Sequence, residues 1–188
     1  MATRQADKRS RLIQAAVKLV YQQGFHQTTL ADLAQEAQVL SLGNVYYYFK
    51  TKEALGEALV EHYLRDYRGL CQQWDNDPDP KARLEAFIQM TLDNRQELAQ
   101  SGCPIGTLCG ELHKQGGPLA QQASQIFDEL LTWLATQFRA LGRGDESADL
   151  AVHLLSALEG ATLLTHSFRT PSYVVREVNR LKDWIRAL

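Results

Sequence analysis

The sequence predicts an all-α chain. Apolar residues recur at helical spacing, helix-starting and helix-stopping residues punctuate the chain at helix-length intervals, and no alternating strand pattern of useful length appears. No internal repeat is present. With 45% apolar residues in 188, the chain can build a sizeable core, and wholesale disorder is excluded.

Residues 9–23 place Leu12, Ile13, Ala16, Val17, Leu19 and Val20 on one face, as an amphipathic helix requires. Gly24 follows as a residue able to take positive φ beyond the helix end, with Phe25 behind it. Thr29-Leu-Ala-Asp32 matches an N-cap followed three residues later by an acid, opening a second helix through Ala37. Residues 38–41 make a turn, a third helix runs from Leu42 to Phe49, and Thr51 caps a fourth that reaches Trp74. Residues 75–80, rich in Asp and Pro, form the clearest break in the chain. Beyond it, helices are expected at about 81–100, 104–115, 118–141, 146–167 and 172–187, giving about nine in all.

No window resembles a membrane span, and the N-terminus lacks the apolar core of a secretion signal. Three cysteines, Cys71, Cys103 and Cys109, show no staple pattern, as expected of a chain in a reducing cytoplasm. Net charge is −2, but residues 1–52 carry seven Lys/Arg against three acids, a net of +4. A polyanion is drawn to that quarter and repelled by the rest.

The helix-turn-helix spacing of residues 29–49 points to DNA, since the second helix of such a motif enters the major groove while the first crosses the backbone. The helix at 42–49 is then the reading helix. Asn44 suits base edges and Gly43 allows a close backbone approach. Tyr46 and Tyr47 bring hydroxyls and rings, with Tyr46 assigned to bases and Tyr47 to phosphate. Val45 and Phe49, four apart, pack inward. Three consecutive tyrosines span about 200° of a helix, so at least one faces outward. Thr28 and Thr29 stand at a helix N-terminus suited to phosphate, and Lys52 at the next helix start reaches another. Ser41 in the turn completes the expected DNA contacts.

The chain resembles the tetracycline-repressor-like (TetR-type) transcriptional regulators. The resemblance is carried by the first helix ending in Gly24-Phe25, by Thr28-Thr29-Leu-Ala-Asp-Leu-Ala, and by Gly43-Asn-Val-Tyr-Tyr-Tyr-Phe-Lys-Thr-Lys-Glu-Ala-Leu55. It implies a three-helix helix-turn-helix domain over residues 1–52 and a larger helical ligand-sensing and dimerisation domain over 53–188. It also implies a homodimeric repressor on a palindromic operator, released by a small-molecule or electrophile inducer. Two departures stand out: family members usually have glycine where Gln38 stands, and Leu40 looks inserted.

In the C-terminal part, Val174, Val178, Leu181, Ile185 and Leu188 form an a/d-like seam, and Leu154, Leu158, Ala161 and Thr165 another. These two helices are expected to form half of a four-helix dimer interface. Pro104 fits the first turn of a helix, which places Cys103 at the N-cap. There, free N–H groups and the helix dipole are expected to lower the thiol pKa. The arrangement also looks like that of TetR-type repressors sensing electrophiles or oxidants, with His166 as a neighbour. A small-molecule pocket is expected to be lined by Phe87, Met90, Phe127 and Trp133.

The motifs of hydrolases, P-loops and zinc sites are absent, so no catalysis, cofactor or metal is expected. The alternative is a helical interaction module or a Cys-dependent enzymatic domain without DNA binding.

Overall fold

A computed structural model describes residues 2–38 and 42–188, with side chains from Asp7 onward. Its described residues form ten helices and no strand. They are α1 (Ala2–Gln23), α2 (Leu30–Glu36), α3 (Leu42–Tyr48), α4 (Lys52–Trp74) and α5 (Pro80–Asp93). Then come α6 (Arg95–Ser101), α7 (Pro104–Gln115), α8 (Pro118–Ala140), α9 (Ser147–Ser167) and α10 (Ser172–Ala187). The expected helix at 81–100 is two, which accounts for the tenth. Asn94 breaks it: its side-chain amide donates to Met90 O at 2.8 Å, and Arg95 donates to Leu92 O at 3.0 Å. An Asn that bonds the backbone in this way competes with helix continuation. At the other end of the chain α1 starts at Ala2, seven residues before the apolar periodicity begins.

Contacts divide the chain into two compact units, and the division is not the contiguous one expected at residue 52. The first unit joins the chain up to Arg65 with Thr107–Ile126; the second joins Asp66–Gly106 with Phe127–Leu188. The boundary thus falls inside α4, α7 and α8.

In the first unit Leu12, Ile13, Ala16 and Val20 of α1 are buried with Phe25, Leu33, Val45, Phe49, Leu55 and Leu59. Leu108, Leu112, Ala123 and Ile126 are also buried. Gly24 ends α1 at φ +86, as the helix stop required. The loop behind it is gripped from two sides. The His26 N–H donates to a Glu111 carboxylate oxygen at 2.6 Å, and Gln115 Nε2 lies 2.9 Å from His26 Nδ1. Lys52 Nζ donates to His26 O at 2.5 Å and sits 5.1 Å from the Phe25 ring centre. A Cβ at position 24 would lie 2.5 Å from Glu111 Oε1 and push aside the carboxylate that holds His26, while the positive φ itself favours glycine. Segment 107–126 joins this unit through these contacts and through Leu119, whose Cδ2 lies where a Cβ on Gly56 would intrude at 2.5 Å.

Gln38 takes φ +51, the left-handed conformation for which glycine is the usual choice. The next three residues, with the expected Leu40 insertion and the Ser41 contact, lie outside the described residues.

The second unit is built on a core of Leu84, Phe87, Ile88, Leu130, Leu134, Phe138, Leu154 and Leu158, among others. The α10 seam belongs to this core: Val174, Val178, Leu181 and Ile185 are at most 2% exposed. So do Leu154, Leu158 and Ala161, while Thr165 is fully buried with its hydroxyl accepting the Val174 N–H at 3.0 Å. The expectation that these stripes form a dimer interface is therefore corrected. They join α9 to α10 within one chain, because a stripe meets the nearest apolar surface first. The apolar residues left outside are on other positions of α9 and just beyond it: Val152, Leu163, Leu164 and Phe168, each at least 44% exposed.

The residues expected to line a pocket lie in or against this core. Phe87, Trp74 and Trp133 form an aromatic cluster with ring centres 5.3–6.2 Å apart, and Trp133 Nε1 donates to Asp75 at 3.1 Å. Met90 and Phe127 pack against the same core.

Gln38→Gly removes the cost of holding a side chain in the left-handed region, and should stabilise the chain by about 1 kcal/mol. The denaturant midpoint, followed by circular dichroism, is expected to rise; a fall would show that position 38 carries no strain.

Candidate nucleic-acid interface

The capping box that the sequence suggested is formed. Thr29 Oγ1 accepts the Asp32 N–H at 3.1 Å, and the Asp32 carboxylate accepts the Thr29 N–H at 2.9 Å. That backbone bond, with the Thr29 hydroxyl, holds the Asp32 carboxyl below the usual carboxylate range. Thr29 is exposed at the head of α2.

Thr28 is a correction. It is 1% exposed, and its hydroxyl donates to Gly24 O at 2.8 Å, so its side chain closes the α1–α2 loop and does not face a phosphate. A hydroxyl beside a helix stop is drawn to the free carbonyls there.

Val45 on α3 and Phe49 just past its end are fully buried, as their spacing required. That anchoring turns Leu42, Gly43, Tyr46, Tyr47 and, just past the helix, Lys50 outward. Tyr46 is 48% and Tyr47 66% exposed. Tyr48 is half-buried and stands edge-on to Tyr47, with ring centres 5.0 Å apart. Asn44 is half-buried on the flank of this stripe. A short helix with two outward tyrosines, a glycine and a lysine offers rings, hydroxyls and charge to one partner surface.

The basic residues of this quarter divide by task. Lys52, half-buried, is bound to His26 O, and its use on a phosphate has to compete with that bond. Arg11 donates to Ala37 O at 3.0 Å, Lys18 pairs with Glu36 at 2.6 Å, and Arg9 lies 3.8 Å from Glu61 and over the Phe49 ring. Lys8 and Lys50 are exposed. Lys50 was not among the expected contacts, because sequence alone does not tell which of two lysines two residues apart is taken up internally.

Cys103 stands at the N-cap of α7, as expected. Its sulfur accepts the Gly106 N–H at 3.2 Å, and its thiol donates to Glu159 Oε1 at 3.1 Å. The expected fall in thiol pKa is overturned. Burial and the Glu159 carboxylate push it well above the ordinary thiol range, outweighing the backbone N–H groups. Burial likewise raises the Glu159 carboxyl. The partner of Cys103 is Glu159 of α9, not His166. His166 is two turns further along the same face of α9, with its Nδ1 buried and without a hydrogen bond among the described residues. Cys109 is buried with its thiol on Ala123 O, and burial, with Asp75 and Glu129 nearby, raises Cys71 to about 11.

Two family models match the chain: bacterial regulatory proteins of the tetR family over residues 12–59, and the LmrA/YxaF-like transcriptional regulator C-terminal domain over residues 80–174. The uncharacterized HTH-type transcriptional regulator YxaF of Bacillus subtilis is 27% identical over 183 residues, spanning 93% of this chain and 94% of the relative. A TetR transcriptional regulator of Chloroflexus aurantiacus superposes with a TM-score of 0.84 at 20% identity, covering 98% of this chain and 96% of that one. The reduced form of E. coli NemR superposes at 0.79 with 24% identity, covering 94% and 97%. At these identities the structures speak for the fold. Among the described residues no helix is long and apolar enough to cross a membrane. The C-terminal model alone spans just over half of the 188 residues and the N-terminal one covers the helix-turn-helix, so the chain belongs to the TetR family and is a DNA-binding transcriptional regulator, not an enzyme.

Proposed function

We propose that this regulator is a homodimeric repressor that reads a two-fold-related operator with α3 and leaves it on meeting a small-molecule or electrophile inducer. It acts in the cytoplasm, where its operator is. The exposed stripe of α3 carries the reading: Gly43 and Tyr46 turned to the groove floor with Asn44 at its flank, and Tyr47, Thr29 and Lys50 or Lys52 turned to the backbone. A Tyr46→Ala, Asn44→Ala variant should lose about tenfold or more in operator affinity in a mobility shift on the DNA upstream of its own coding sequence. Wild-type affinity in that variant would remove α3 as the reading helix.

Two-fold symmetry is supplied by α9. Val152, Leu163 and Leu164, with Ser156 and Gly160 between them, make an exposed face whose small residues allow a second helix to approach closely. Leu163→Glu is expected to halve the mass seen in sedimentation velocity while the circular dichroism stays helical. A dimer that persists in that variant places the interface elsewhere.

Cys103 is the proposed point of attack for an electrophile. An activated alkene adds across the thiol: the S–H bond and the alkene π bond break, a carbon–sulfur bond forms, the proton reaches the neighbouring carbon through solvent, and the thiol's hydrogen bond to Glu159 is lost. The raised thiol pKa means little thiolate at neutral pH and a reaction rate that still climbs with pH above the ordinary thiol range. Glu159→Gln removes the neighbouring negative charge, lowers the thiol pKa and should alkylate several-fold faster at pH 8. Cys103→Ser is expected to stay on the operator when electrophile is added. A serine variant that is still released would exclude Cys103 as the sensor.

A further inference from the structure

We propose that Arg11 is a positioning residue for operator reading: it fixes the point where the chain leaves α2 and thereby the seating of α3. This rests on the reading of α3 as the helix in the groove. Arg11 immediately precedes Leu12 and Ile13, which are 0% and 4% exposed, so the backbone that carries it is anchored in the core of the first unit. From there its Nη2 reaches across 26 residues of sequence to donate to Ala37 O at 3.0 Å.

Ala37 is the C-cap of α2. Carbonyls at a helix C-terminus have no partner within the helix and stand at the negative end of its dipole, so a guanidinium there satisfies both a lone pair and a charge. The Ala37 side chain is buried, and its N–H is already bonded to Leu33 O at 3.0 Å. The very next residue, Gln38, turns the chain at φ +51, and only three more residues precede Leu42 at the start of α3. α2 packs on both α1 and α3. A displacement of the Ala37 end is therefore passed to α3 with little chain to absorb it. Lys18 and Glu36 tie the same helix end at 2.6 Å, but that pair is exposed and such pairs hold weakly. Arg11 is the tie made to the backbone itself.

The rival role for an arginine in this basic quarter is direct contact with a phosphate, and the two roles differ in what they do to specificity. A lost phosphate contact weakens all DNA alike and reduces the slope of log affinity against log salt by about one. A lost positioning bond lowers the preference for the operator and leaves that slope alone.

The experiment compares wild type and Arg11→Met on a duplex selected from random sequence by the wild-type protein and on a scrambled duplex of equal composition, across a salt series. The expected result is about a tenfold loss of preference for the selected duplex, with the scrambled affinity and the slope unchanged. Equal loss on both duplexes with a shallower slope, or no loss at all, overturns the proposal. Should Arg11→Met fail to give a helical circular dichroism spectrum, Gln38→Gly is added to relax the turn, and the same readings are taken against Gln38→Gly alone. Asn44→Ala with Tyr46→Ala is measured in parallel. Unchanged preference there removes the α3 reading, whereas loss there beside an unaffected Arg11→Met removes this proposal alone.

Discussion

Val45 of α3 and Phe49, four residues on and just past the helix end, are buried, as is Leu33 of α2. A helix of seven residues has too few internal hydrogen bonds to persist by itself, so α3 depends on this docking. What it buries also determines what it shows. At 3.6 residues per turn, sinking positions 45 and 49 brings Leu42, Gly43, Tyr46, Tyr47 and Lys50 to the outside together. The outward stripe is thus a consequence of a packing constraint, and it would be lost by any change that let α3 roll. The grip on the α1–α2 loop by Lys52, Glu111 and Gln115 sets the start of α2, and Arg11 sets its end.

The positive charge of the N-terminal quarter has two uses that do not exclude each other. Arg9, Arg11, Lys18 and Lys52 all have partners inside the first unit. The field they project toward a distant polyanion depends on the summed charge of the region, and their internal bonds diminish it only through the acids they pair with. Contact is different. At close range a phosphate needs a donor not already committed, which favours Lys50 over Lys52 among the two lysines that bracket Thr51.

Much of the fold was legible because it is encoded in short-range signals. The Thr29–Asp32 capping box, Gly24, Thr51 and Pro104 each act within about one helical turn, and the elements they delimit stand where expected. The break at Asn94 was missed because a single Asn inside an apolar periodicity becomes a stop only when its amide turns back onto Met90 O. The division into units was not legible either. Leu119 and Glu111 reach Gly56 and His26 across more than sixty residues, and no local pattern announces such a contact. Of the expected DNA contacts, Thr29, Tyr46 and Tyr47 are exposed and Thr28 is not, although the two threonines are adjacent.

The sequence by itself determined the all-α class, the helix-turn-helix and the faces of α3, since helical period and capping chemistry are properties of neighbours along the chain. It also revealed that α9 and α10 carry apolar stripes. Only the tertiary structure decided what those stripes meet: Val174, Val178, Leu181 and Ile185 close onto their own core and leave Leu163 and Phe168 outside. It likewise decided that the Cys103 thiol is raised and not lowered, because packing buries the sulfur and sets the Glu159 carboxylate, 56 residues away, beside it, where its own helix alone would have favoured thiolate. Periodicity tells which side of a helix is apolar, and a cap tells where it starts. Partners distant in sequence are set by packing, and packing is what the structure adds.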